Sequence, residues 1–333
     1  MDFTKPINIE AVNNTAQKYN QTIFRLITTG ADETLQHLTA QLGVQDSLVL
    51  STFEHNSILK PYTGNFDGSV KIGDIVPRTL KVESLVAEIA DEPERYRRSY
   101  FAAVQAGLNP NTHPFERWLV ETIALIISED LNIATFQAIR NPSGKTPFDG
   151  FDGFFKIISD EIDAGNISTA KNNMFSTGTI TRANAGTVLK EQFRSLHKGL
   201  RTKGVNIYCS QDVLDAYDDW YNDTYDGNPV INEYNQTTLI GSQNKGIFIP
   251  LSSMGDSNLV IMTQKANLHY GVDQLSDSET IKAFISGNPY LFTAAMKMVF
   301  GVQIQSIHSR SFVINDQTPA AETGSGSGSG SGV

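Results

Sequence analysis

Pro114-Phe115-Glu116-Arg117-Trp118-Leu119-Val120-Glu121-Thr122-Ile123-Ala124-Leu125-Ile126-Ile127 opens the longest helical pattern in the chain. Phe115, Leu119, Ile123 and Ile126 recur every three or four residues, and Ile127, Leu131, Ala134 and Ala138 continue the stripe. Pro114 suits a first turn, where a missing N–H costs nothing. Asn141-Pro142-Ser143-Gly144 ends the pattern. The spacing predicts a helix over 114–140, roughly 39 Å long at 1.5 Å per residue. Most globular helices are about half that length, so a solitary spine is an architectural clue.

Working outward, Phe148-Asp149-Gly150-Phe151-Asp152-Gly153-Phe154-Phe155 forms a Gly- and Phe-rich exit from the spine. Leu189, Phe193, Leu196 and Leu200 mark an amphipathic helix, followed by a strand at Val205-Asn206-Ile207-Tyr208-Cys209. Ser210 is placed to cap a helix carrying Val213, Leu214 and Tyr217. Strands are expected at 246–250, 259–263 and 280–285. Phe292, Ala294, Met296, Met298, Phe300, Val302 and Ile304 alternate with Thr293, Lys297 and Gln303. That is a strand of about 13 residues where five or six is usual. On the N-terminal side, Leu48-Val49-Leu50 and the alternation around Leu80 and Val82 read as extended chain, with a turn-rich 62–68 between them. The simplest picture is a two-stranded flap, with Pro77 on an edge strand. Before it, Ile9, Val12, Ala16 and Tyr19 leading to Ile23 and Leu26 predict one short helix. Leu35, Leu38 and Leu42 predict a second over 32–42. Neither stripe has an evident partner nearby, so both read as an arm that docks elsewhere.

Composition narrows the function. The 333 residues carry Lys+Arg 26 and Asp+Glu 36, a formal charge of −10, with 40% hydrophobic residues and 26 glycines. The apolar share is that of a folded chain. The acidic balance argues against a dedicated nucleic-acid binder, which needs basic patches. No signal segment is visible at Met1-Asp2-Phe3-Thr4-Lys5, and the uninterrupted apolar run Ile123 to Ile127 is far too short to span a bilayer, so no membrane association is expected. The one cysteine, Cys209, allows neither an internal disulfide nor a thiolate cluster. Charged residues, at 19%, fall below the usual level of about 25%, as expected either of a surface rich in Asn, Ser and Thr or of one that largely meets other subunits.

Chemical motifs are weak. Gly144-Lys145-Thr146 imitates the end of a phosphate loop, but Ile139 stands where the first glycine belongs. Ser57 and Lys60 have a serine–lysine spacing without its companion elements. Asn222, Thr224, Asp226, Gly227 and Glu233 fall on positions one, three, five, six and twelve of a calcium-loop template, with Asn and Thr in place of carboxylates. Asn222, Asp226 and Glu233 are therefore a calcium candidate set, against the plainer reading of a surface loop. His37, His55, His113, His197, His269 and His308 show no metal-binding spacing. No catalytic constellation emerges, and no cofactor is expected.

The order of elements resembles the major capsid protein of tailed bacteriophages, the Hong Kong 97 fold. The segments carrying the resemblance are Arg78-Thr79-Leu80-Lys81-Val82-Glu83, the spine from Phe115, Phe151-Asp152-Gly153-Phe154, and Val205 to Asp212. Asn267 to Asp273, Asn288-Pro289-Tyr290 and the final strand complete them. The resemblance implies an α+β fold. Its parts would be an N-terminal arm (1–45), an extended flap or E-loop (46–92) and a peripheral domain (93–180) with the spine at 114–140. An α/β axial domain (181–285) and a returning peripheral strand (286–315) would follow, then a flexible Gly/Ser tail (316–333). It implies a non-enzymatic subunit that assembles through hexamers and pentamers into an icosahedral shell around double-stranded DNA, made in the host cytoplasm and residing in the virion. Expected partners are further copies, a separate scaffolding protein, a portal and a decoration protein. Lys71, Asp74, Arg78, Lys81 and Glu83 are the expected assembly-interface residues. No crosslinking is expected, because Lys60 and Lys71 lack an identifiable Asn partner. An encapsulin-type nanocompartment would share the fold. A soluble enzyme with a flap-like lid would be a monomer or small oligomer, and a calcium-dependent binding module would respond to calcium titration through Asn222–Glu233.

Overall fold

The spine forms because an apolar stripe finds three other helices to lie against. A computed structural model describes residues 32–55, 58–59, 61, 68, 71–92, 94–109, 115–227, 229, 231, 237–273, 281–285 and 292–317. The first arm helix, the turn at 62–67, Ser57 and Lys60, Asn288-Pro289-Tyr290, Glu233 and the Gly/Ser tail lie outside them.

In chain order, α1 (Asp32–Leu35) precedes β1 (Thr39–Leu42), β2 (Ser47–His55), β3 (Gly73–Lys81) and β4 (Glu83–Asp91). Next come α2 (Glu94–Gln105), the spine α3 (Phe115–Gln137), α4 (Phe154–Asp163) and β5 (Met174–Phe175). The chain continues through α5 (Ala185–Ser195), α6 (Lys198–Lys203), β6 (Val205–Cys209) and α7 (Gln211–Tyr225). It closes with β7 (Gly246–Pro250), β8 (Val260–Thr263), β9 (Leu268–Val272), β10 (Ile281–Ile285), β11 (Phe292–Ile304) and β12 (Phe312–Asn315).

Two compact units result. The first takes residues up to Gly165 together with Leu251–Gly255 and Gln264–Ile307. Its sheet is organised on β11, which pairs antiparallel with β4 from Phe292 to Phe300 and with β9 from Phe300 to Ile304, while β10 lies along its first half. β1 adds in parallel to β9. Phe151 packs edge-on against Phe300 at 5.1 Å, and Phe136 of the spine meets Phe154 at 5.1 Å. All four rings are buried. The helix α2, unread in the sequence, supplies a partner for the start of the spine: Tyr100 is buried 5.5 Å from the Phe115 ring and 5.9 Å from Trp118.

The second unit takes Asn166–Pro250, Asp256–Thr263 and the chain from His308. Its sheet runs β5-β12-β8-β6-β7, with β6 parallel to β7 and antiparallel to β8. Leu189 and Phe193 of α5 and Val213, Tyr217 and Trp220 of α7 share one core with Ile207, Phe248 and Met262.

Several expectations change. The spine stops at Gln137 rather than 140, because Ile139 N–H donates to the Phe148 carbonyl and Arg140 N–H to Asp152 Oδ1, turning the chain into its exit loop. Residues 39–42 are strand and not helix: Thr39 to Leu42 pair with His269 to Val272, which leaves Leu42 60% exposed. The flap is β2 with β3, whereas β4 leaves it to join β11. The helix expected across 189–200 breaks at Leu196, and His197 Nδ1 accepts the Gly199 N–H to cap α6. Ser210 precedes α7 as expected, without a side-chain capping bond. β9 and β10, expected in the axial lobe, belong to the first unit because both pair with β11. Phe312–Asn315, expected in the returning strand, belongs to the second because it pairs with β8 and β5. Among the described residues no helix is long and apolar enough to cross a membrane.

Candidate assembly surface

The flap is a hairpin with two unlike faces. Side chains alternate across a strand, and Phe53 pairs with Ile75, Ser51 with Pro77 and Val49 with Thr79. Val49, Phe53 and Ile75 therefore share one face, and they are 60%, 52% and 69% exposed. The opposite face carries Leu50, Arg78 and Leu80, with Leu50 and Leu80 buried. An apolar face on a two-stranded ribbon has no core of its own to enter.

The predicted interface residues divide accordingly. Lys71 and Asp74 are exposed at the far end of the described flap. Arg78 turns inward. Its Nε donates to the Ile304 carbonyl at 2.7 Å, one terminal nitrogen to Glu161 Oε1 at 2.7 Å, and the other to Gln303 Oε1 at 3.1 Å. Lys81 Nζ lies 2.6 Å from Glu83 Oε1, and Arg140 donates to Glu83 Oε2 at 2.8 Å. Arg78, Lys81 and Glu83 thus bond within the subunit at the flap's root. Glu161, Gln303 and Gln305, which receive the flap there, were not anticipated from the sequence. Gly271 and Gly301 were equally missed, although a glycine inside an apolar strand marks a close backbone approach.

A second apolar surface runs beside the spine. A groove of about 1110 Å³ lies between β4 and α3, floored by Leu119, Ile123, Ile127, Met296 and Met298. Val86 and Ile126 on its lining are more than half exposed. Asp130 also lines it, and burial, with Glu129 nearby, raises its carboxyl above the usual range.

The chemical motifs resolve into local structure. At Gly144-Lys145-Thr146, the Thr146 N–H donates to Asp149 Oδ2 at 2.9 Å and its hydroxyl to the same oxygen. That hydroxyl, with the backbone N–H, holds the Asp149 carboxyl below its ordinary range. Asp149 thus occupies a donor that a phosphate would need. Asn222 and Thr224 lie in the last turn of α7, whose end is capped by Asp226 in the left-handed conformation, its N–H donating to the Asn222 carbonyl. Among the described residues no group of three or more His, Cys, Asp or Glu could hold a metal ion. Cys209 is fully buried, and burial pushes its thiol up to about 12.

A hairpin flap, a long spine, a 13-residue strand and a separate α/β unit define the arrangement to be compared. No family model matches the sequence, and no curated protein matches it. Solved structures do. A chain of the satellite phage P4 procapsid, a structure that includes the size determination (Sid) protein, aligns with a TM-score of 0.54 at 10% identity, over 90% of this chain and 100% of that one. The cyanophage A-1(L) capsid aligns with a TM-score of 0.54 at 11% identity, over 86% of this chain and 92% of that one. The capsid of the native GTA particle gives 0.52 at 12% identity, over 86% and 97%.

This is a tailed-phage capsid fold. The capsid fold therefore accounts for both units at once, since the alignments run over most of this chain and nearly all of each partner. At identities this low the shared property is the path of the backbone, and what the capsid fold does here has to be argued from this chain's own surfaces.

Proposed function

We propose that the chain is the repeating subunit of an icosahedral shell, assembled through hexamers and pentamers around packaged double-stranded DNA. The supporting observation is the near-complete alignment with three capsid chains, over 86–90% of this one. The flap adds a physical reason: Val49, Phe53 and Ile75 form an apolar face that the other described residues leave exposed. Its role is structural. Partners beyond further copies would be a scaffolding protein, a portal and a decoration protein, with synthesis in the host cytoplasm and residence in the virion. The net charge of −10 would limit adhesion of DNA to the shell.

Negative-stain electron microscopy of the purified chain, across concentration and salt and with a crowding agent, tests the reading. Closed shells, or rings of five- and six-fold symmetry, are the expected result. A chain that stays monomeric under crowding and in the presence of its candidate scaffold would refute it.

A further inference from the structure

Among the described residues the flap shares no backbone ladder with the main sheet, since β2 pairs with β3 alone. The direction in which it leaves the body is therefore set by its root. Gly271 and Gly301 face each other directly across β9 and β11. A Cβ on Gly301 would lie 2.1 Å from the Lys81 carbonyl oxygen, and one on Gly271 would lie 2.8 Å from Val82 Cγ1 and 3.1 Å from Leu80 Cδ2. The paired glycines make a bare notch in the sheet, and the flap's root is seated in it. Side chains of the β11 end then grip both flap strands. Gln303 Nε2 donates to the Thr79 carbonyl at 2.8 Å, Gln305 Nε2 to the Ser51 carbonyl at 3.3 Å, and Thr52 Oγ1 to the Gln305 carbonyl at 3.2 Å. Arg78 adds its bonds to Ile304, Gln303 and Glu161.

We propose that the Gly271–Gly301 notch and the Arg78–Glu161 pair form a clamp that fixes the flap's angle, and that this angle determines which contacts a second copy can make. The second half of this rests on the shell reading. The lever arm shows why the angle matters. Phe53 and Ile75 lie six residues along the ribbon from the Ser47–Lys81 pair, roughly 20 Å at about 3.4 Å per residue, so a tilt of about 10° at the root moves them by roughly 3.5 Å. That is most of one strand spacing, enough to take Phe53 and Ile75 out of register with an apolar partner surface. Gly271, Gly301, Arg78 and Glu161 are thus positioning residues, with their effect on assembly exerted through the flap.

The test places spin labels at Glu54→Cys on the flap and Glu129→Cys on the spine, in a Cys209→Ala background, and measures the distance distribution by pulsed electron resonance. The same chains are examined for assembly by electron microscopy. Glu161→Gln removes the charge partner of Arg78 with little change in shape, and Gly271→Ala pushes on side-chain ends. Both are expected to keep a cooperative melting transition. The expected result is a distance distribution shifted or broadened by roughly 4 Å, together with lost or misshapen shells. Unchanged distances in folded Glu161→Gln and Gly271→Ala chains would overturn the clamp. Displaced flaps with shells of wild-type shape and yield would overturn its link to assembly. A wild-type chain that never assembles would overturn the shell reading and that link with it, while the distances would still decide the clamp.

Discussion

Replacing Gly186 by alanine sets two effects of opposite sign against each other in the second unit. Gly186 lies in the first turn of α5 and is buried. On propensity alone, Gly→Ala inside a helix stabilises by about 1 kcal/mol. The added Cβ, however, would lie 2.0 Å from Cε3 and Cζ3 of Trp220 and 2.5 Å from Cδ2. Relief requires the ring or the helix to move by about 1.5 Å, given that carbon atoms settle at about 3.5–4.0 Å. The ring has little freedom to do so. It stacks on Tyr217 at 6.1 Å, meets Tyr225 edge-on at 5.9 Å, and has Lys190 Nζ 5.4 Å from its centre. Overpacking of a filled core costs about 1–3 kcal/mol, and a ring held on several sides puts this site at the upper end. The net expectation is a loss of about 1–2 kcal/mol. Urea denaturation followed by tryptophan emission measures it, in a Trp118→Phe background that leaves Trp220 as the one reporter of the two tryptophans. Gly199→Ala in α6 is the control, because its Cβ would meet nothing closer than His197 Nδ1 at 3.3 Å; it should be neutral or slightly stabilising. A Gly186→Ala midpoint equal to or above wild type, with unshifted emission, would show that the α5–α7 packing argument is wrong.

Two further predictions concern the same unit. Cys209 should resist thiol reagents in the folded protein at pH 8 and react fully in denaturant, because burial both excludes the reagent and raises the thiol to about 12; labelling at the folded-state rate expected of an exposed thiol would contradict this. The unit should also lose stability in alkali. Tyr208 and Tyr217 are raised to about 12, as Cys209 is, in each case with burial as the leading cause. The unfolded chain then releases protons that the folded chain retains, so stability is full below the unfolded values near 9 to 10 and declines as pH rises towards 12. Denaturation midpoints flat from pH 8 to 11 would refute this.

The parts of the fold that could be read from sequence are those whose burial repeats. Phe115 to Ala138 writes a helix because one face touches protein and the other does not. Phe292 to Ile304 writes a strand because alternate residues do, and the structure returns all 13 residues. Residues 32–42 misled for the same reason. Leu35 and Leu38 are buried, but Leu35, Leu38 and Leu42 fit a helical stripe only as long as the chain's neighbours are unknown. The parallel pairing of Thr39–Leu42 with β9, more than two hundred residues away in sequence, decides for strand. Tertiary context overrides local pattern there.

The candidate surface divides in the same way. The sequence located the flap and five charged residues on or near it, but charge alone does not distinguish a side chain facing a partner from one bonded at home. Arg78 turned out to bridge Ile304, Gln303 and Glu161. By itself, then, the sequence determined the spine, the flap strands and the 13-residue strand, the order in which they follow and the class of shell protein they resemble, because periodicity and turn chemistry are local properties. Only the tertiary structure decided which unit each late strand joins, which face of the flap is left apolar, and where Gly271 and Gly301 open a seat for its root. Those depend on contacts between residues more than two hundred positions apart, and no window of sequence contains both partners of such a contact.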